Sequence, residues 1–267
     1  MDITHLGGCD TGWSILQVSL PWQRRALPVW RGVLTRKAPS QQQTHWVLAA
    51  CDLLACCLPG PRSRYVLVMD RGFPSKWLIN ELQGRGWRFV LRLKEDWRVV
   101  HPHFQGSLRE ARLTGQVGPC PRLLRDAVLG WRPSGPRAAR YACRAHVVWY
   151  WGAGHREPWF LVTSERRASR VVALYRERMQ IEAEFRDLKG PLGLDLLGRW
   201  LDAEEVARFL AWVAVYEWRL AYLWWFHQLA KWTAHFQVHG ALSWIRLTRE
   251  WLARHLRLPK QQAQACL

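Results

Sequence analysis

The stretch Tyr175-Arg-Glu-Arg-Met-Gln-Ile-Glu-Ala-Glu-Phe-Arg-Asp-Leu-Lys189 is the most informative part of this chain. It contains no Gly or Pro and precedes Gly190-Pro191, so it predicts a single helix that ends at this pair. At about 100° per residue, four of its polar side chains fall within roughly 60° of one another. They are Tyr175, Arg178, Glu182 and Lys189. The predicted helix therefore presents a carboxylate among cations, beside an apolar stripe that includes Ile181 and Phe185.

Composition and charge favour a folded protein with a polyanionic partner. Of the 267 residues, 49% are hydrophobic and 19 are Trp, which argues against a disordered chain. Lys and Arg together number 39 against 21 Asp and Glu, for a formal net charge of +18. Such an excess favours nucleic acid as the partner, ahead of an anionic membrane surface.

Several features predict a reduced, cytoplasmic protein. The seven Cys are odd in number and form no C-x-x-C pair, and those at positions 51, 56 and 57 are predicted to be buried thiols. The first residues lack the basic region and the apolar run of a signal peptide. The most apolar stretch, residues 209–226, contains Glu217 and Arg219, which favours a buried amphipathic helix over a membrane span.

The order of apolar runs predicts an α/β fold. Strands are expected at residues 14–20, 26–34, 65–69, 87–93 and 159–163, and helices at 41–58, 74–83, from about 168, and at 241–256. A further helix is expected to begin at a capping box of Asp202 and Glu205. We predict a core formed by residues 1–96 and 159–258, a β-rich insertion at 97–158 and a polar tail at 259–267.

Carboxylates are scarce in the first 70 residues, where only Asp2, Asp10, Asp52 and Asp70 occur. Hard divalent ions such as Mg²⁺ bind carboxylate oxygens, and phosphodiester chemistry commonly uses two such ions. Asp70 follows the apolar strand at 65–69, where open α/β sheets place their sites, although a turn or helix cap is the alternative. Asp2 shares one strand face with Thr4, and its alternative is a frayed terminal residue.

The spacing Y-(2)-R-(3)-E-(6)-K of the opening stretch resembles the signature of DDE transposases encoded by bacterial insertion elements. Further pieces resemble the family in the same order. These are Asp2-Ile-Thr4, Arg25-Ala-Leu-Pro28, Asp70-Arg-Gly-Phe73 and Leu161-Val-Thr163. The resemblance implies an RNase H-like fold, which is a mixed sheet flanked by helices, here with an inserted, mainly β subdomain and a helical C-terminus.

The same resemblance implies a site and its partners. Asp2, Asp70 and Glu182 would be the catalytic acids and would hold two Mg²⁺ ions, for which Mn²⁺ can substitute. Tyr175, Arg178 and Lys189 would contact the DNA backbone near the cut. The implied partners are the element ends and the target DNA, on which the chain would form a homo-oligomer. The implied location is the bacterial cytoplasm, at the nucleoid, without association with a membrane. In some members a Trp stacks on a base, and Trp149, Trp151 and Trp159 lie in the corresponding region.

The chain also departs from the family pattern. Family members usually have an N-terminal helical domain and the first half of strand one before the first acid, whereas Asp2 is the second residue here. We therefore expect a truncated product or a fragment, with the catalytic acids present and recognition of the element ends impaired. The alternatives are a DNA-binding remnant without catalytic activity and a stand-alone RNase H-like nuclease.

Overall fold

The computed structural model describes residues 1–6, 13–22, 25–34, 40–130, 143–189 and 202–235. The first sheet is antiparallel and consists of β1 (Asp2–Leu6), β2 (Trp13–Trp22) and β3 (Arg25–Leu34). The strands predicted at 14–20 and 26–34 are thereby confirmed as a hairpin. The terminal amine of Met1 donates to the Val68 carbonyl at 2.8 Å, so β1 begins beside a strand of the second sheet.

The second sheet has seven strands in the order β4-β5-β10-β9-β8-β6-β7. Their bounds are β4 Val66–Met69, β5 Arg88–Arg92, β6 Arg98–His101, β7 Phe104–Ser107, β8 Arg122–Gly130, β9 Cys143–Tyr150 and β10 Trp159–Thr163. The β4–β5 pair is parallel and the other pairs are antiparallel, which confirms the predicted α/β class with a mixed sheet. The strands of region 97–158 continue this sheet. The strand expected at 65–69 is β4, which is an end strand in this order.

Polar side chains cap the N-termini of three of the described helices, at Ser75, Ser107 and Asp202. The helices are α1 Ser40–Cys57, α2 Lys76–Gly84, α3 Leu108–Leu113, α4 Ala168–Glu177, α5 Met179–Lys189 and α6 Ala203–His235, with a short 3-10 turn at Arg62–Arg64. The capping box predicted for α6 is confirmed, since Glu205 N–H donates to Asp202 at 2.8 Å and Asp202 N–H donates to Glu205 at 2.9 Å. Of the cysteines in α1, Cys51 is buried as predicted, whereas Cys56 and Cys57 are exposed, so that part of the prediction was wrong.

Helices cover both faces of the second sheet, because alternate side chains of a strand point to opposite faces. In β5, Phe89 and Leu91 join the larger core with side chains of α1 and α2. Val90, between them, packs in a second core with Val171 and Tyr175 of α4. Tyr175 is thus fixed on the sheet face opposite α1 and α2.

The helix predicted over 175–189 is interrupted at Arg178, which belongs to neither α4 nor α5. Around this residue the backbone makes i→i−3 hydrogen bonds, from Arg178 N–H to Tyr175 O at 3.2 Å and from Ile181 N–H to Arg178 O at 3.0 Å. Such tightened turns are typical of helix ends. The sequence has no Gly or Pro at this break.

Residues Met1–Ala211 and Trp212–Leu267 form two separate compact units. In α6, Val206, Leu210 and Val213 are buried, at the spacing of one helix face. Trp212 is 75% exposed and Tyr222 is 54% exposed, so the prediction of a buried helix at 209–226 was wrong for these side chains. Among the described residues, no helix has the length and apolar character needed to cross a membrane. The helix predicted at 241–256 and the tail at 259–267 lie outside the described residues.

Candidate active site

Three separate elements place the three predicted acids. Asp2 begins β1, Asp70 follows the last residue of β4, and Glu182 lies in the first turn of α5. Their carboxylates meet at one guanidinium, that of Arg178. Its Nη1 lies 2.6 Å from Asp2 Oδ2, its Nη2 forms an ion pair with Glu182, and the same Nη2 lies 3.9 Å from Asp70 Oδ1. The structure thus brings together residues that are 176 positions apart in the chain.

Tyr175 and Arg178 both face the acids. The Tyr175 hydroxyl donates to Asp70 Oδ1 at 2.9 Å, and its ring lies 5.4 Å from the Arg178 guanidinium carbon. Tyr175 is fully buried and the Arg178 side chain is only 3% exposed. The edge of Trp159 packs against the Tyr175 ring, with centroids 4.9 Å apart. These two residues of the signature therefore hold the carboxylates in this structure.

The electrostatics of the cluster follow from burial and from nearby cations, of which Arg178 has the largest effect on Asp2 and Asp70. Burial raises the pKa of Asp2, and the opposing charge of Arg178 only partly offsets this effect. Burial also acts to raise the pKa of Asp70, but Arg178, the Arg71 N–H and the Tyr175 hydroxyl outweigh it, and the pKa is lowered. Burial tends to lower the pKa of Arg178, yet its acidic neighbours raise it overall, so the guanidinium is charged at neutral pH.

Lys189, the fourth residue of the signature, is partly exposed at the end of α5. It lies seven residues beyond Glu182, which is about 10 Å along the helix axis. The structure therefore places it on the same helix as Glu182 but about two turns from the cluster around Arg178. Its contact with DNA stays a prediction, as do those of Tyr175 and Arg178.

A basic groove of about 440 Å³ adjoins the cluster. Its lining includes Tyr175, Arg178 and Glu182, together with Arg92, Arg156, Arg176, His155, Glu157, Trp159 and Met179. Four arginines against two glutamates make the lining suitable for phosphate groups.

The three tryptophans singled out in the sequence differ in exposure. Trp149 is fully buried and Trp159 is 6% exposed, whereas Trp151 is 37% exposed. The Trp151 indole N–H donates to the carbonyl of His155, a residue that lines the groove, at 3.0 Å. Trp151 is therefore the most exposed of these three tryptophans.

A buried ion pair that the sequence pattern did not predict fixes α5. Arg31 of β3 lies 2.6 Å from Glu184, and both side chains are only 6% exposed. Arg31 also donates to the Gln17 side chain at 2.5 Å and to the Leu210 carbonyl at 3.2 Å. Glu184 is two residues from Glu182 in α5, so its side chain points away from Glu182, and it is buried in the protein interior. The only sequence signal was its position between the apolar residues Ile181 and Phe185.

The donor set suits a hard divalent cation, although a guanidinium lies between the donors. Over the described ranges, no three His, Cys, Asp or Glu side chains are grouped closely enough to hold a metal ion. Asp2, Asp70 and Glu182 nevertheless supply three carboxylates from three elements around one positive charge. Oxygen donors of this kind are the ligands that Mg²⁺ and Mn²⁺ prefer. The types of donor atom at these three residues therefore fit such ions in chemistry.

Comparison with known proteins agrees with this geometry. A family model described as the transposase DDE domain matches residues 39–216, which is more than half of the chain and includes Asp70 and Glu182. No curated protein matches the chain. The mixed sheet flanked by helices is that of an RNase H-like DDE domain, and the chain belongs to the family of DDE transposases.

Proposed function

We propose that this chain is the catalytic domain of a transposase of a bacterial insertion element, which cuts DNA and joins it to a target in a metal-dependent reaction. The observation that supports this most is the convergence of Asp2, Asp70 and Glu182 on one point from β1, β4 and α5. Such convergence is required of metal-binding acids and is not required of a fold whose acids only face solvent.

The three acids would hold the divalent ions, Mg²⁺ by preference. When bound, these ions would activate the attacking oxygen and stabilise the charge on the leaving oxygen. In the first reaction, the oxygen of water bonds to phosphorus and the bond to the bridging 3′ oxygen breaks, which leaves a 3′-hydroxyl and a 5′-phosphate. In the second, this 3′-hydroxyl attacks a phosphodiester of the target, and one phosphodiester bond replaces another. The second reaction therefore needs no external energy source.

DNA is the proposed partner, both as element ends and as target, in the cytoplasm and with more than one copy of the chain on paired ends. The groove beside Glu182 is suited to the strand that is cut, because Arg92, Arg156 and Arg176 line it. Arg178 and Lys189 are the signature cations proposed to meet the backbone. Tyr175 is proposed to hold Asp70 in position, since its hydroxyl donates to that carboxylate.

The test is nicking of supercoiled plasmid by the purified chain in Mg²⁺ or Mn²⁺, with EDTA as the blank. We expect Glu182→Gln and Asp70→Asn each to lower the metal-dependent rate at least about 100-fold, since each removes one anionic ligand. Glu177→Gln is the matched control, because Glu177 is an exposed residue at the end of α4 whose carboxylate accepts a hydrogen bond from Gln180. Its rate should stay within about two-fold of wild type.

The outcomes separate the candidate functions. Metal-dependent nicking that survives both Glu182→Gln and Asp70→Asn would contradict the proposed site. DNA binding without any metal-dependent nicking would favour the DNA-binding remnant. Nicking without joining of a labelled 3′-hydroxyl end to target DNA would favour a stand-alone nuclease.

A further inference from the structure

One buried guanidinium occupies the position that the three acids surround. Both Nη atoms of Arg178 face carboxylate oxygens of Asp2, Asp70 and Glu182. The oxygens that would bind a metal ion are thus directed at a fixed cation of the protein itself. Among these four side chains, three carboxylates face one guanidinium, and the charges of the Met1 amine and Arg92 also lower the pKa of Asp2 and Asp70, respectively.

One hydrogen-bond donor of the Arg178 guanidinium has no acceptor in this position. Within the described part of the chain, Arg178 Nε is buried and has no hydrogen-bond partner. A buried donor left without an acceptor costs on the order of 1–3 kcal/mol. A phosphate can accept from two guanidinium nitrogens at once, which would use the donors of Arg178 more completely.

The surroundings of Arg178 allow its side chain to move away from the acids and into the groove. Arg178 lies at the junction of α4 and α5, outside the regular helical hydrogen bonding of either helix. It also lines the basic groove, and its neighbour Met179 is 47% exposed. Movement of the guanidinium from the acids into the groove therefore needs no helical turn to unfold.

We propose that Arg178 is a positioning residue that acts as an internal counter-ion: it holds the three acids together in the metal-free protein, and divalent ions displace its guanidinium towards a DNA phosphate. This inference rests on the proposed function, since it assigns the metal to Asp2, Asp70 and Glu182. It also reconciles the predicted DNA contact of Arg178 with the burial of its side chain. Arg178 would thus pair with the acids before divalent ions bind, and with a DNA phosphate afterwards.

The test compares Mn²⁺ binding in wild type and Arg178→Gln, in the absence of DNA, by electron paramagnetic resonance titration. Because Gln removes the competing charge, we expect Mn²⁺ to bind about 10-fold more tightly to the variant. Thermal unfolding in EDTA should show the variant destabilised, with a larger gain on adding Mn²⁺ than wild type shows. Arg178→Lys, which keeps the charge, should return the Mn²⁺ affinity towards that of wild type. Arg170→Gln is the matched control, because Arg170 is an exposed residue of α4 that pairs with Glu165 outside the groove lining, and the Mn²⁺ affinity of this variant should stay within about two-fold of wild type.

Two results would overturn the proposal: Mn²⁺ binding that is equal or weaker in Arg178→Gln, or no Mn²⁺ binding by either protein. Should Arg178→Gln fail to fold, nitrogen-15 resonances of arginine side chains in the wild type decide the question. The Nε–H signal of Arg178 should be protected from exchange in EDTA and lose that protection in Mg²⁺ with DNA, whereas continued protection would contradict the displacement. None of these measurements depends on DNA cleavage. Their results therefore test the role of Arg178 separately from the proposed function, which the nicking assay tests.

Discussion

The buried pair of Arg31 and Glu184 makes a quantitative prediction about stability. Glu184→Gln keeps the size of the side chain and removes its charge, which leaves Arg31 buried without that counter-ion. Removing one partner of a buried ion pair typically costs about 3–5 kcal/mol. Arg31 keeps Gln17 and the Leu210 carbonyl as acceptors, and the new amide oxygen can still accept. We therefore expect a loss of about 2–3 kcal/mol in the free energy of unfolding.

Urea unfolding at neutral pH measures this loss, with Glu177→Gln as the exposed control. For a unit the size of Met1–Ala211, a loss of this magnitude corresponds to a fall of roughly 5–10 °C in Tm. The double variant Arg31→Met with Glu184→Gln should recover part of the stability, because no charge is then buried alone. A change below about 0.5 kcal/mol in Glu184→Gln would refute the reasoning, since such a value is typical of a solvated pair.

Two further predictions concern groups whose pKa is shifted by the fold. Arg88 Nε lies 2.5 Å from Glu165, and this hydrogen bond lowers the pKa of Glu165 below its ordinary value of 4.5. The pair therefore stabilises the fold fully above pH 4.5. Its contribution is lost as the pH falls through the lowered pKa. Glu165→Gln should therefore lower the free energy of unfolding by about 1–3 kcal/mol at pH 7, with a difference that shrinks towards pH 3 in urea titrations; a constant difference would contradict it. Burial raises the pKa of the Cys51 thiol to about 12 and that of the Cys143 thiol to about 11. At pH 8, iodoacetamide should therefore label the exposed Cys120 but not Cys51 or Cys143. Mass spectrometry should detect labelling of Cys51 and Cys143 only after urea is added. Equal labelling of all three in the native protein would show that the two thiols are not buried.

The sequence predicted the positions of Asp70 and Glu182 from local pattern. Asp70 follows a short apolar run, and Glu182 lies on one helical face with Arg178, so strand and helix periodicity were sufficient for both. Asp2 was different, because its local context suited a frayed terminus and only the resemblance singled it out. Periodicity relates residues within one element, and it has no information on contacts between elements.

That limit explains the differences between expectation and structure. The helical wheel placed Arg178 beside Glu182 but gave no sign that carboxylates from two other elements would draw the side chain inwards. The burial of Glu184 against Arg31 depends on a hairpin far away in the chain. In α6 the apolar content predicted burial, yet Trp212 is exposed, because composition does not reveal which face meets a core.

The order of strands in the second sheet has a consequence for protein engineering. Asp70 follows β4 at one end of the sheet, whereas the β6–β7 hairpin lies at the other end, five strands and more away. Pro102 and His103 in the turn of this hairpin are exposed. A fluorescent label or a short peptide tag inserted there should leave the acids undisturbed, and it would report on the protein during its binding to DNA. The connection from β9 to β10 is a poor choice for the same purpose, because His155 and Glu157 within it line the groove.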